Sequence, residues 1–400
     1  MKRVAITGRG TVSPAGLDVP ATWMAVKQGL SAIRPVHIER QELISCPVAA
    51  QVPGYDPANF FTSKQVGPLD RVSQFAVVAA REALDDSGIP PDTEALRSAA
   101  TIVGVGGGGL ETMESGYWRL YGEKSRRSHP FTVPRQMCSA PASQVSMHLG
   151  MQGLAYGVTS ACASGTHAIG QAFNLVRSGM SRVAFAGGTE APITPGTVLA
   201  WEALRVLSSD TCRPFSANRS GLVLGEGAAM LVLEEWDHAV SRGATIYAEV
   251  LGFGANSDAR DLTTPDQESV GRAMAMAIHD ASLTPAAVGY INAHGTGTAM
   301  NDAVESAAIR AVFDNAPPPV SSTKGVLGHS LGATGAMEAV LTAMALYEQV
   351  LPPTANCSEP DHDLGIDMVP EGPRKHEFAV AMSNSFAFGG LNAVLLLGRA

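Results

Sequence analysis

The chain has 400 residues, 45% of them apolar, with 42 glycines, a mean hydropathy of +0.09 and a formal net charge of −9. That is enough chain and apolar surface for a large core or two domains, which excludes a disordered polymer. The acidic balance argues against a general nucleic-acid binder, so an acidic partner would need a local basic patch.

The first apolar run, at 4–7, is broken by Gly8 and Arg9 and reads as a strand, not a signal peptide. A helix is predicted at 20–28, then an irregular, proline-bearing stretch over 31–70. Residues 71–87 carry an amphipathic helix pattern, stopped by Gly88-Ile89-Pro90. A strand at 99–105 runs into four glycines, 106–109, followed by a helix from Leu110. The glycine run lacks GxxxxGK[ST] and a supporting acidic residue, so it reads as close backbone approach more than as a phosphate loop. Residues 122–136 form a basic, exposed excursion. A helix follows near 141–150, then a strand at 155–160, a helix from Cys162 and a strand at 182–186. Residues 191–224 read as loop-rich, before a strand at 228–234. The pattern then restarts, with strands at 247–254, 288–293, 320–322, 378–382 and 392–397 and helices at 269–281, 302–313 and 333–348. Alternating strands and helices give an α/β class. The order predicts two similar halves, 1–243 and 244–400, although their letters do not align as a repeat. No run approaches the length of a membrane span.

The five cysteines are Cys46, Cys138, Cys162, Cys212 and Cys357. They are scattered, odd in number and without a CxxC, which argues against disulfides or a zinc site and for a reducing, cytoplasmic setting. Cys162 stands out. Ala161, Ala163, Ser164 and Gly165 leave little bulk around it, and a helix start beside it would favour thiolate. Alone, the stretch favours a buried structural thiol. Three other segments share its character. His294 sits in Asn292-Ala293-His294-Gly295-Thr296-Gly297-Thr298. Lys324, His329 and Glu338 sit in a glycine-rich lead-in to a helix. Ser383 to Asn392 turns on Gly389 and Gly390. A buried lysine needs a partner. One cysteine and two histidines, each at an element end, suit nucleophilic catalysis through a thioester, with imidazole N–H groups stabilising an enolate.

Together, the motifs SACASG, NAHGTGT, KGVLGHSLGATGAMEA and SNSFAFGGLNA resemble those of the β-ketoacyl-[acyl-carrier-protein] synthases of the thiolase superfamily, of the Cys-His-His type. The run WEALRVLSSDTCRPFSANRSGLVLGEGA is similar to elongation synthases and to nodulation-type and polyene-type relatives. The resemblance implies a pseudo-duplicated fold layered α-β-α-β-α. It implies condensation of an acyl chain on Cys162 with malonyl-acyl carrier protein, in fatty acid or polyketide synthesis. It implies His294 and His329 on the thioester carbonyl, Lys324 tuning the field around His329, and Glu338 behind the lysine. The N–H groups of Cys162 and Phe388 would form an oxyanion hole, with Phe388 gating. Thr296, Thr298, Gly107 and Gly389 would meet substrate. Lys64, Arg126, Arg127 and Arg205 are the candidates for carrier-protein contact. No metal or cofactor is implied, since the carrier protein brings its own 4'-phosphopantetheine; a homodimer is implied, with a heterodimer as the alternative. Thiolases and chain-length-factor subunits are the rival readings. The first would need a C-terminal CxG, and the second typically lacks the cysteine. The chain departs from the pattern at Ala387, where glycine is usual and an alanine should stiffen the loop. It also departs at Gly107, where isoleucine is common, and at Pro68 and Leu69, where basic residues are common.

Overall fold

Ten strands make one mixed sheet in the computed structural model, which describes residues 1–314, 316–370 and 372–400. They are β1 (Val4–Val12), β2 (Ala100–Gly104), β3 (Ala155–Val158), β4 (Val183–Glu190), β5 (Gly227–Glu235), β6 (Ala248–Ser257), β7 (Tyr290–Asn292), β8 (Val320–Ser321), β9 (Val380–Ala387) and β10 (Leu391–Gly398). Their order across the sheet is β8-β7-β9-β10-β6-β1-β5-β4-β2-β3. The order holds an internal repeat. Counting outward from the middle, β1-β5-β4-β2-β3 has the same connectivity as β6-β10-β9-β7-β8. Each set also has the same pattern of antiparallel inner and parallel outer pairs. The sets meet where β1 and β6 pair antiparallel over Val4–Ile6.

The helices divide into three layers. Helices α1 (Arg71–Ser87), α2 (Ser164–Arg177), α3 (Gln267–Asp280), α4 (Ala299–Val312) and α5 (Thr334–Glu348) carry most of the packing. Helix α1 lies outside the first half, and α3 with α4 outside the second. Helices α2 and α5 pack against each other and against strands of both halves. Three apolar clusters fill the spaces between these layers. One has Val72, Phe75 and Phe185, a second Ile6, Ile169 and Leu341, and a third Met274, Ile291 and Ile309. The fold is therefore thiolase-like and pseudo-duplicated, with helices outside and between two sheet halves. Strand β4 is buried along its whole length, as expected where helices cover both faces.

Most predicted elements appear within a few residues. Helix α1 starts and stops where the pattern ended, with the Asp70 carboxylate accepting the Val72 N–H and Gly88 at φ +65°. The strand predicted to stop at 186 runs on through Gly187 and Gly188 to Glu190. Glycine is needed there, because a Cβ on Gly187 would lie 2.0 Å from the Ala229 carbonyl oxygen. The strand at 378–382 also runs further, to Ala387, because β10 pairs with it up to Leu391. The loop-rich segment 191–224 contains an unpredicted helix, Pro195–Ala203. Its apolar residues lie all round, so no stripe marks it, although Thr194 followed by Pro195 is a start signal.

Helices α2 and α5 start at matched places. Gly165 and Gly335, each the second residue of its helix, let them touch. A Cβ on Gly335 would lie 2.0 Å from Thr166 Oγ1 and 2.7 Å from Ser385 Oγ. Gly335→Ala should therefore lower stability by about 1–3 kcal/mol through overpacking. The usual helical gain of about 1 kcal/mol from alanine would offset only part of it, since a contact as close as 2.0 Å puts the cost toward the upper end. Thermal unfolding checks this: a loss of several degrees is expected, and an unchanged midpoint would refute the close contact. Among the described residues, no helix is long and apolar enough to cross a membrane.

Candidate active site

The cysteine sits on a strained turn. After β3, residues Ala161–Ala163 form one 3-10 turn that leads into α2. Ala161 has φ +47°, a conformation an L residue adopts only when its surroundings enforce it. Ser164 does so. Its Oγ accepts the Ser160 N–H at 2.9 Å and donates to the Ala161 carbonyl at 2.7 Å. The second half has the same device: Leu331–Ala333 form a 3-10 turn before α5, and Leu331 has φ +42°. Gly332 there holds the place that Cys162 holds in the first half. The two turns pack together, and His329 Nε2 comes within 3.1 Å of Cys162 Sγ.

His294 follows β7. Its N–H and that of Gly295 both donate to Glu305 of α4, at 2.8 Å each, and Asn384 Nδ2 supports the same carboxylate at 3.2 Å. The two imidazoles stand edge to face, with centroids 5.4 Å apart. Lys324 is fully buried and paired, Nζ to Glu338 Oε1 at 2.6 Å. It also donates to the His294 carbonyl and lies 3.5 Å from His294 Nδ1. The expectation was that Lys324 tunes the field around His329, and its charge does act there. The structure places its hydrogen bonds at His294, and His329 feels only its field. The Nδ1 of His329 meets Thr334 Oγ1 at 3.0 Å instead.

This difference separates the two histidines chemically. An ammonium group can only donate, so His294 Nδ1 is held as acceptor and its proton stays on Nε2. A hydroxyl can donate or accept, so His329 can carry its proton on either nitrogen. Burial first, then Lys324, push both imidazoles well below their ordinary pKa, so both are neutral near pH 7.

The sulfur is a resting thiol. Burial raises its pKa to about 11, against the pull of Lys324 and of the Phe388 and Cys162 N–H groups, with Glu190 pushing further upward. Burial thus outweighs the helix-start effect expected at this position. Alkylation of Cys162 by iodoacetamide, read on its own peptide, should rise with pH to a midpoint near 11. Free cysteine titrates at about 8.5, and a midpoint there or below would contradict this environment.

Cys162, His294 and His329 open into one cavity of about 290 Å³, also lined by Thr296, Thr298, Trp201, Leu262 and Phe388. The Phe388 ring stacks on Trp201, centroids 5.8 Å apart. Thr296 and Thr298 bond each other at 2.9 Å, and Thr298 also caps α4. Gly389 and Gly107 lie outside the lining. Gly389 donates to the Leu262 carbonyl, and Gly107 to Glu190 at 3.0 Å. The left-handed positions of the last turn fall on Gly389 and Gly390, φ +82° and +68°. Ala387 is a strand residue paired with Leu391, so an alanine fits there without strain. Lys64, Arg126, Arg127 and Arg205 are all exposed, and only Arg205 is flanked by lining residues, Leu204 and Val206. Glu190, Glu305, Thr334 and Trp201 were not among the expected site residues. All five cysteines are free.

Residues 1–239 match the family described as "Beta-ketoacyl synthase, N-terminal domain", and 247–358 match its C-terminal domain. The chain is 45% identical over 396 residues to Nodulation protein E of Rhizobium sp. (strain N33), covering 98% of both. It is 39% identical over 407 residues to 3-oxoacyl-[acyl-carrier-protein] synthase 2 of Staphylococcus aureus (strain COL), covering 100% of this chain and 98% of that one. The solved structure described as "The ishigamide ketosynthase/chain length factor" superposes with a TM-score of 0.95 at 33% identity, over 100% of this chain and 99% of that one. Motifs, fold and relatives converge, and the chain belongs to the beta-ketoacyl synthase family.

Proposed function

We propose that the protein is an acyltransferase that condenses an acyl thioester with malonyl-acyl carrier protein, giving a 3-oxoacyl-acyl carrier protein and CO2. The observation that carries the reading is the 3.1 Å approach of His329 Nε2 to Cys162 Sγ, with His294 facing the same cavity.

In the first step the Cys162 proton passes to His329 Nε2 while sulfur attacks the acyl thioester carbonyl. His329 can accept it because Thr334 can take a hydrogen bond from Nδ1. The N–H groups of Cys162 and Phe388 face the developing oxyanion. The carrier's thiolate leaves and recovers the proton from His329. In the second step His329 holds its proton on Nε2, with Thr334 now donating to Nδ1, and the malonyl thioester carbonyl accepts from Nε2–H of His294 and of His329. The bond to the carboxylate breaks, CO2 leaves and the electron pair forms an enolate. Two preorganised donors in a buried site stabilise that charge by about 2.7–4 kcal/mol each. The enolate carbon attacks acyl-Cys162, the carbon–sulfur bond breaks, and the thiolate takes a proton from water. The chain has grown by two carbons.

Residues 1–243 would supply the nucleophile and 244–400 both histidines. The chemistry calls for no metal or organic cofactor of the protein's own, since the carrier's phosphopantetheine arm presents both substrates. Arg205 beside the cavity, with Lys64, Arg126 and Arg127, would meet an acidic carrier protein. The exposed apolar residues Tyr117, Trp118, Tyr121 and Leu199 suit a dimer of this chain. The relative described as a ketosynthase with a chain length factor keeps a heterodimer as the second arrangement. The test is to mix the protein with acyl- and malonyl-carrier protein and detect product by mass. A 3-oxoacyl carrier with loss of CO2 is expected; unchanged carriers would refute the reading.

A further inference from the structure

Glu190 is fully buried at the end of β4, and the two steps above give it no part. Its Oε2 accepts the N–H of Gly106 at 2.7 Å and of Gly332 at 2.9 Å, and its Oε1 that of Gly107 at 3.0 Å. Among the described residues no cation pairs with it. The neighbouring glycines make room for it: a Cβ on Gly106 would lie 2.5 Å from Oε2, and one on Gly332 2.7 Å away. A carboxylate has thus been walled in by backbone from both halves of the fold. Such a group is costly to bury as an anion, and three N–H donors offset only part of that cost. Burial pushes its pKa up to about 7 against their pull. An apolar residue would fill the same volume without the penalty.

Its position suggests what the charge does. Gly332 belongs to the turn that packs on the Cys162 turn. His329 precedes it by three residues, and Thr334, which orients His329, follows by two. Fixing Gly332 fixes the angle at which His329 meets the sulfur. The negative charge also reaches the sulfur through its field and disfavours the thiolate. The acyl-enzyme has no charge on sulfur, so it escapes that repulsion. The other groups near the sulfur are His329, His294 and Lys324. Glu338 is turned to Lys324, and Glu305 to the N–H groups of His294 and Gly295.

We propose that Glu190 is a positioning residue with an electrostatic role. It ties the Gly106–Gly107 loop to the Gly332 turn, and when ionised its buried carboxylate disfavours the thiolate of Cys162 relative to the neutral thiol and the acyl-enzyme. The unloaded thiol is thereby kept unreactive toward adventitious electrophiles.

The inference rests on Cys162 being the acylated thiol, but iodoacetamide reads the sulfur whether or not that reading holds. In full-length Glu190→Gln, alkylation of Cys162 at a fixed alkaline pH should rise by roughly threefold, its pH curve displaced to lower pH. Glu190→Asp keeps the charge but shortens the tie. It should leave the curve in place while condensation, normalised to folded protein, falls roughly tenfold in kcat. A Glu190→Gln curve that superimposes on the parent's would overturn the electrostatic role. Parental condensation in Glu190→Asp would overturn the positioning role. If Glu190→Gln does not fold, Glu190→Asp decides, since a displaced curve or undiminished condensation there overturns the proposal. If the parent forms no acyl adduct on Cys162, the nucleophile assignment fails, a different result from either.

Discussion

Cys162→Ala should fold normally and lose condensation by at least about 1,000-fold. The sulfur packs among Ala163, Ala387 and Ala393, so an alanine suits the site and the melting temperature should stay close to the parent's. No acyl mass should accumulate on the protein. Decarboxylation of malonyl-carrier protein should persist, because His294, His329 and Lys324 remain and the enolate can take a proton from water. The product would then be acetyl-carrier protein. Normal condensation by this variant, measured with both carriers, would refute covalent catalysis at Cys162.

His294→Ala should separate the two steps. Removing one oxyanion donor costs about 10²–10³ in rate, and His294 is held as a donor by the Lys324 ammonium at its Nδ1. The lysine itself should stay in place, since its bonds run to the residue's backbone carbonyl and to Glu338, which alanine does not disturb. Release of CO2 from malonyl-carrier protein should fall by that factor. Acyl transfer to Cys162 should fall much less, because its base, His329, and its N–H donors are untouched. Equal losses in the two assays would contradict the assignment of His329 as the proton acceptor.

The chemical residues were legible where a reactive side chain stood among small ones. Cys162, His294, Lys324 and His329 were marked in this way, and the structure brings all four together. Their supports were not legible, because the partners are backbone groups far along the chain. Glu190 reaches N–H groups 84 and 142 residues away, and nothing local distinguishes it from a strand-end acid. Lys324 read as shaping the field around His329, five residues on, and its charge does act there; its hydrogen bonds to His294, in the loop after β7, were not legible. The glycine loop 106–109 was legible as close approach. The N–H groups of Gly106 and Gly107 donate to Glu190 and that of Gly109 to the Gln136 carbonyl, which argues against a phosphate cradle there. The duplication was legible in element order alone. Only the structure aligns Ser160-Ala161-Cys162-Ala163-Ser164-Gly165 with Ser330-Leu331-Gly332-Ala333-Thr334-Gly335. The halves share Ser, Ala and Gly at the first, fourth and sixth places, a strained second residue and a hydroxyl at the fifth, a match too short to mark a repeat by letters alone. The helix Pro195–Ala203 escaped because its apolar residues form no stripe, yet it delivers Trp201 to the cavity.

The central claim is that Cys162 carries the growing chain, and mass spectrometry of the intact protein tests it most directly. The protein would be incubated with acyl-carrier proteins of varied chain length and unsaturation, then digested to locate any adduct. A single acyl increment on the Cys162 peptide, released when malonyl-carrier protein is added, is the predicted result. An adduct on another residue, or 3-oxoacyl product formed with no adduct at all, would contradict it.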